Sequence, residues 1–581
     1  MNNKNQRLFF IASAIIFFIG LLSKLPGVIF QPTDFLYDTV ELAEIFSIFG
    51  LFAGLTPAAV TFWSIGIYGI PLVLIYTLDA IFVHPQFLPA LLRHDPGLLV
   101  EGISVYIGGV FFNPARQLII GRALVAIITS FAPLAVYWLL FKKDKIIAAI
   151  SAAAIFLSSP YLIRQSYGFM PDAIGLVFFS FALVITLKPQ LNSRSIFTAG
   201  IFLGLAIVSK FLYLAFLPVA ILSVLFCRES NAAKPSAGLL KNIAAFLFGL
   251  VIPVFIFIPF IWTSPLALSK NIFGTLAQYY VKHHSCWDSL FLDKIPAYIS
   301  WPALLFCFLG LISSFYLLGR KTAILLGLGF ALFLFSFGKA DFLLPRYILP
   351  LVPYLCIYFG IGVELLLKPF RKRIKVGLLI FILGFILAGH IVTIIHDFKL
   401  LHGYTNLSAC RDWINAHIGT EESIAIPEQL SYMFVPSEDT LKRWADDLGW
   451  SYNNIDRRLN NLCLMTGMKC DNLRSDNPVV SRVFGALEQQ KIFVYKMLLW
   501  YYHNVSRPKI THKLFLYSPG EYYKFSVSIY REEDIQRLFL EKKIQVFISE
   551  TQMALPAGFR VISFNRYPGP PYYMHVQDRV S

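Results

Sequence analysis

The sequence predicts a polytopic α-helical membrane protein carrying a C-terminal soluble α/β domain. Three observations predict it. Of 581 residues, 57% are apolar and only 14% charged, more apolar surface than a water-soluble chain can hide. Apolar runs of about 20 residues, the length of a bilayer-spanning helix, recur through the first two thirds of the chain. From near residue 398 the composition turns mixed and polar, as in "LHGYTNLSACRDWINAHIGTEESIAIPEQ". Short β-branched or aromatic runs such as "KIQVFISE" and "FRVISF" follow.

The elements follow in order. Lys4 and Arg7 precede an apolar run with no small-residue cleavage site, so that run reads as an uncleaved first span. Further basic clusters are "KKDK" at 142–145, Lys188/Arg194, Arg228/Lys234/Lys241, Arg320-Lys321 and "KPFRKRIK" at 368–375. Between them lie apolar spans near 8–24, 117–141, 146–163, 172–188, 195–209, 211–227, 241–262, 297–318, 322–338, 345–367 and 376–396. With these eleven spans every basic cluster falls on one side, the cytoplasmic side by the positive-inside rule. The expectation is an integral protein of the plasma or inner membrane, with a cytoplasmic N-terminus and an extracytoplasmic C-terminal domain. Residues 58–82 are also long enough to span, and with 98–113 would make thirteen spans. Gly66, Gly69 and Pro71 interrupt that run, which favours an interfacial or re-entrant pair. The expected domains are therefore 1–397, a membrane domain with outer loops at 25–116 and 263–296, and 398–581, the soluble part.

The net charge of +16 is not a nucleic-acid footprint, because the basic residues of the membrane half sit in these topology clusters. Membrane lipids are expected partners; nucleic acid is not. The seven cysteines set no disulfide framework. Cys227, Cys307 and Cys356 fall in or beside spans, and Cys286, Cys410, Cys463 and Cys470 lie outside them. Of the latter, Cys463 and Cys470 could pair on an oxidising side.

Ionisable groups at membrane depth are costly and are functional candidates by default. The parity count gathers them on the outer face. Asp34, Asp38 and Glu41 lie in "VIFQPTDFLYDTVELAEIF", and Arg164 and Asp172 in "SSPYLIRQSYGFMPDA". Lys210 lies in "GLAIVSKFLYL", and Lys282, His283, His284 and Asp288 in "YYVKHHSCWDS". Lys339, Asp341 and Arg346 lie in "GKADFLLPRYILPLVP". Carboxylates come mainly from the first two loops and cations from the later ones. A carboxylate can take a proton from an attacking hydroxyl, and fixed cations can hold a departing phosphate.

Each residue also has a plainer structural role. Asp34 suits an N-cap, and Asp38 and Glu41 suit a solvated helix face. Asp172 after Pro171 suits a cap or dipole partner. Lys210 can snorkel to the headgroups, and Arg346-Tyr347 can anchor at the interface. His283 and His284 are adjacent and point apart, so by spacing they are not a paired metal ligand.

In this order and placement the motifs resemble the GT-C superfamily of polyprenyl-phosphate-dependent glycosyltransferases. Protein O-mannosyltransferases and lipid A aminoarabinose transferases (glycosyltransferase family 39-like) belong to it. Gln31-Pro32-Thr33-Asp34 stands where some branches read His-Pro-Asp-Glu, followed by the helix "FLYDTVELAEIF" and the aromatic run "FWSIGIYGIPLVLIY". "LIIGRALVAI", "SSPYLIRQSYGFMPDAI", "GLAIVSK" and "LPRYILPLVPYL" follow, so the resemblance covers roughly residues 8–400. The chain departs from the pattern at Gln31 and Thr33, and residues 84–113 make a longer insert than the pattern expects.

The resemblance implies transfer of a sugar from a polyprenyl-phosphate donor to a hydroxyl of a glycan, lipid or protein acceptor at the outer face, with inversion. It implies Asp34 as the base, with Asp38 the alternative alignment. Lys210 and Arg346, with Arg164, would hold the donor phosphate, and Asp172 and Asp38 would orient the acceptor or a metal. A divalent metal ion is implied by some members of this type, with His283 or His284 joining Asp34 or Asp172 at the metal or phosphate. The rival class is a transporter or flippase of lipid-linked sugars. That class places charge near the midplane on paired broken helices. Here the charge gathers at one face, and the hydropathy shows no related halves.

Overall fold

The computed structural model describes residues 3–30, Ile75, Leu78, Asp79, Ile81, 115–167, 171–188, 191–226, 235–257, 286–339 and 345–402. In the C-terminal part it describes 406–418, 422–427, 437–443, Asp446 and five further strands. The chain divides into two compact units. One comprises Met1–Ile29, Gly66–Tyr68 and Ile120–Phe398; the other comprises Phe30–Ile65, Gly69–Ile119 and Lys399–Ser581.

The first unit is helical. Its helices are α1 (Asn3–Leu22), α2 (Leu25–Phe30), α3 (Ala115–Thr129), α4 (Ala132–Phe141), α5 (Ile146–Ser158), α6 (Pro160–Tyr167) and α7 (Pro171–Thr186). Next come α8 (Ser193–Ser209), a 3-10 turn (Phe211–Phe216), α9 (Leu217–Leu225) and α10 (Pro235–Phe257). A π-turn (Ser289–Lys294) leads into α11 (Ile295–Ile299), α12 (Trp301–Leu317) and α13 (Arg320–Gly338). A second 3-10 turn (Pro345–Leu351), α14 (Val352–Leu367) and α15 (Lys372–His402) complete it.

Among the described residues each of the eleven apolar runs is helical. Five segments, Ile119–Phe141, Leu239–Phe257, Arg320–Gly338, Arg346–Leu367 and Lys372–Ile395, are long and apolar enough to cross a bilayer alone. The chain is an integral membrane protein by this measure. Two of the expected continuous spans, 146–163 and 297–318, are instead broken. α5 and α6 bend by 63° at Ser159, and Ser289–Ile299 and α12 bend by 99° at Ser300. A proline follows each break, Pro160 and Pro302, where the missing N–H and the ring end the preceding helix. Four further apolar helices, Gln6–Leu22, Pro171–Thr186, Ser193–Ser209 and Phe211–Leu225, are shorter.

The core lies around α14, of whose span 89% is buried, while the α15 span is only 11% buried and faces outward. α8 and α10 pack closely through glycines. A Cβ on Gly200 would stand 2.3 Å from the Phe246 carbonyl, and one on Gly249 2.3 Å from that of Phe197. With Gly204 this is a small-xxx-small contact, the usual route to close approach where lipid offers no hydrophobic drive.

The basic turns collect at one end of the bundle. Lys143 Nζ donates to Leu318 O and Thr322 Oγ1, both at 3.1 Å. Lys142 and Lys188 both stand over the Trp138 ring, at 4.2 and 5.4 Å. Glu364 accepts from the Ala148 N–H at 3.1 Å, satisfying an open donor of the first turn of α5. The starts of α7, the π-turn and α14, and the end of α8, lie at the other end.

The second unit contains α16 (Asn406–His417) and strands β1 (Ser423–Pro427), β2 (Lys513–Ser518), β3 (Ile529–Arg531), β4 (Val546–Ser549), β5 (Phe559–Phe564) and β6 (Tyr572–Gln577). The strand order is β3-β2-β1-β4-β6-β5. β3, β2, β1 and β4 run parallel, and β6 joins β4 and β5 antiparallel. α16 packs on β5 and β6.

Candidate functional site

Asp172 and Lys210 meet at the end of the bundle opposite the basic turns. Asp172 occupies the first turn of α7 directly after Pro171, where a carboxylate complements the helix dipole. Lys210 is the extended residue that closes α8, at φ −160° and ψ 124°, where a cation complements the opposite pole. Its ammonium lies 3.4 Å from Asp172 Oδ1 and 3.5 Å from Oδ2, nearly shared between the two oxygens. The carboxylate side chain is 6% exposed and the lysine 25%, so the pair is open on the cation's side only.

Tyrosines build the walls. Tyr213 donates to the Asp172 carbonyl at 3.0 Å, which ties the 3-10 turn after α8 to the start of α7. That contact needs Gly175, since a Cβ there would stand 2.5 Å from the Tyr213 ring. Tyr347 lies in the 3-10 turn before α14. Lys210 Nζ is 5.6 Å from its ring centre and Arg346 Cζ is 5.7 Å from it, so two cations share one aromatic face or edge. Tyr298 is fully buried on α11. Its ring packs 4.9 Å from that of Tyr161.

The structure therefore brings together three of the residues singled out in the sequence, Asp172, Lys210 and Arg346. Arg164 is half-buried on α6, three residues from Tyr161. Asp34, Asp38, His283 and His284 lie outside the described residues. Among the described residues no three His, Cys, Asp or Glu side chains converge. Asp172 already faces an ammonium, so the described part of the site does not fit a divalent ion.

Sequence reasoning passed over two further buried cations. Arg122 is fully buried on α3, inside the quoted motif "LIIGRALVAI". Lys24 is 5% exposed and donates to Ser130 Oγ at 3.1 Å. The cost of ionisable groups at membrane depth was the signal for both, and each sits beside or within an apolar run.

No protein-family model matches the chain, and no curated protein matches it. Some solved structures are similar to it. ArnT from Cupriavidus metallidurans bound to undecaprenyl phosphate is 14% identical, covering 100% of this chain and 99% of that one, with a TM-score of 0.47. The same protein in the apo state is 13% identical over 98% and 97%, with a TM-score of 0.46. The archaeal oligosaccharyltransferase AglB from Archaeoglobus fulgidus, in complex with an inhibitory peptide and a dolichol-phosphate, is 12% identical. It covers 74% of this chain and 63% of that one, with a TM-score of 0.38. At these identities and scores the likeness carries no activity over to this chain.

Proposed function

We propose that the chain is an integral-membrane glycosyltransferase of the GT-C type. It moves a sugar from a polyprenyl-phosphate carrier to an acceptor hydroxyl at the outer face of the membrane, with inversion. The observation that carries this reading is the meeting of Asp172, Lys210 and Arg346 around Tyr347, opposite the basic turns. Three separate motifs, in the order the family shows them, supply those residues.

The chemistry follows from the charges. Lys210 and Arg346 flank Tyr347 and are placed to take the oxygens of the departing phosphate as its charge develops. Asp172 holds Lys210 at rest and is released when the ammonium turns to the phosphate. Arg164 reaches the same phosphate from α6. Asp34, or Asp38 four residues on, takes the acceptor's proton, a role worth about 10²–10⁴-fold in rate. The basic turns face the cytoplasm, and residues 398–581 form the extracytoplasmic domain that meets a glycan, lipid or protein acceptor. A divalent ion held by His283 or His284 with Asp34 remains part of the proposal, outside the described site.

The test is transfer by the purified protein in lipid, using radiolabelled polyprenyl-phosphate sugars and a crude envelope acceptor. Wild type runs beside Asp34→Asn, Asp38→Asn and Lys210→Met. Transfer that is lost with Asp34→Asn and Lys210→Met, and kept with Asp38→Asn, supports the assignment. Loss with Asp38→Asn in place of Asp34→Asn moves the base and keeps the class. No transfer from any donor, with movement of the lipid-linked sugar across the bilayer, overturns the enzyme and favours a flippase.

A further inference from the structure

Two lysines share one indole at the basic end of the bundle. Lys142 follows the last turn of α4, and its ammonium stands 4.2 Å from the centre of the Trp138 ring. Lys188 lies just past α7, and its ammonium stands 5.4 Å from the same centre. α4 and α7 pack together, so two separate turns bring like charges to one side chain. The ring attracts each ammonium, but the repulsion between the two remains. Among the described residues no carboxylate stands within ion-pair distance of either lysine. Asp144 sits in the same turn as Lys142 and pairs with no described cation. Glu364, at the same end, is engaged with the Ala148 N–H. Lys143 is already held by Leu318 O and Thr322 Oγ1. Lys142 is exposed and Lys188 half-buried, so both can be reached from outside.

The level of the pair along the bundle decides the ligand. The Ile119–Phe141 span ends one residue before Lys142, which puts the lysines at the depth of lipid headgroups, where tryptophan also concentrates. Beyond the turn, α5 exposes Ile146 and Ile150, apolar surface against which an acyl chain can lie. A phosphodiester offers two unesterified oxygens with one negative charge, and so can accept from two ammonium groups at once. A zwitterionic headgroup brings a cation of its own to a place that already holds two. A net-anionic headgroup brings only the counter-charge the pair lacks.

We propose that Lys142 and Lys188, held together by the Trp138 ring, form a binding site for the phosphodiester of a net-anionic phospholipid. The site lies at the end of the bundle opposite Asp172 and Lys210 and takes no part in the proposed transfer.

Native mass spectrometry of the full chain, titrated with phosphatidylglycerol or phosphatidylcholine of the same acyl chains, tests the site. Wild type is expected to bind its first phosphatidylglycerol about tenfold tighter than its first phosphatidylcholine. Lys142→Gln and Lys188→Gln are each expected to weaken that first phosphatidylglycerol about fivefold, and the double variant about thirtyfold. Arg371→Gln/Lys372→Gln removes the same charge from the exposed start of α15 and is expected to change it by less than about threefold, because screening confines each charge to its surroundings. Trp138→Leu keeps both lysines and loses the ring that gathers them, and is expected to weaken the lipid about fivefold. Should Trp138→Leu fail to fold, the lysine variants still decide, since they change only the ends of side chains in turns. Equal affinity for the two lipids, an unchanged double lysine variant, or an equal loss in the α15 variant overturns the proposal. So does a folded Trp138→Leu protein that binds as wild type does. Displacement of the lipid by inorganic phosphate in millimolar excess would mark a site for a free anion and overturn it as well. Transfer enters none of these measurements, so the glycosyltransferase reading can fail while the lipid site stands.

Discussion

Lys210 closes α8, Asp172 opens α7, and their charged groups stand 3.4 Å apart at adjoining ends of neighbouring helices. Each charge complements its own helix dipole, and each is the other's partner. The burial is unequal, with the carboxylate at 6% exposure and the lysine at 25%. Removing the amine strands a nearly buried carboxylate; removing the carboxylate frees a cation that can reach water. Lys210→Met is therefore expected to cost about 2 kcal/mol of unfolding free energy, less than a fully buried pair because the lysine is partly exposed. Asp172→Asn is expected to cost about 1 kcal/mol, and the double variant to recover most of the Lys210→Met loss. Unfolding in mixed micelles reads all three. Equal and additive losses would mean that the two groups do not act as a pair.

Tyr213 fixes the backbone beneath that pair. A Cβ at Gly175 would come within 2.5 Å of the Tyr213 ring and 3.1 Å of Ser209 Cβ, so the ring must leave or the helices must part. Gly175→Ala is expected to destabilise by about 1–3 kcal/mol through overpacking. Tyr213→Phe keeps the ring in place and loses only the 3.0 Å bond to the Asp172 carbonyl, at about 1 kcal/mol. The glycine variant is thus the worse of the two in thermal unfolding. A Gly175→Ala protein as stable as wild type would show that the ring yields freely and that Tyr213 does not hold Asp172.

The long-range order of the membrane unit was legible because bilayer thickness and the cost of charge constrain sequence directly. The eleven apolar runs became helices, and the runs "KIQVFISE" and "FRVISF" contain β4 and β5. Asp172, Lys210 and Arg346 stood out because each is expensive where it lies. The breaks at Ser159 and Ser300 were hidden by uniform hydropathy, although Pro160 and Pro302 marked both. Tyr213 and Tyr298 were not legible among 28 tyrosines, since nothing local separates a wall of the site from ordinary core, and Tyr347 was read only as an interface anchor beside Arg346. The pairing of β1 with β2 joins residues 423–427 to 513–518, a partnership no local pattern announces.

The collected basic turns make the orientation testable. Lys143 is held against Leu318 O and Thr322 Oγ1, and burial lowers its pKa from the ordinary lysine value. Lys372 and Lys339 are exposed, at the start of α15 and the end of α13. With the basic end cytoplasmic, a cysteine at 372 is expected to react with a membrane-impermeant maleimide only from the cytoplasmic side of sealed vesicles. A cysteine at 339 is expected to react only from the other. Labelling of both from one side would break the parity on which the outer-face site depends.

Cys410 reports on the second unit. It is a free thiol, fully buried on α16, the helix that packs on β5 and β6. Burial pushes its pKa up to about 12, because the thiolate would sit without solvation. The thiolate is the reactive form, so alkylation of Cys410 in the folded protein is expected to stay slow from pH 7 to 9, while half-buried Cys286 reacts faster. The raised value also sets a sign for stability. Above the ordinary thiol value of about 8.5 the unfolded chain loses this proton and the folded chain keeps it. Cys410 therefore draws stability down as pH rises from there to about 12, with a limiting slope of about 1.4 kcal/mol per pH unit. Mass spectrometry of alkylated peptides measures the first effect, and unfolding of wild type against Cys410→Ala across that pH range measures the second. Rapid alkylation of Cys410 that follows the free-thiol titration would mean that α16 does not stay docked on the sheet.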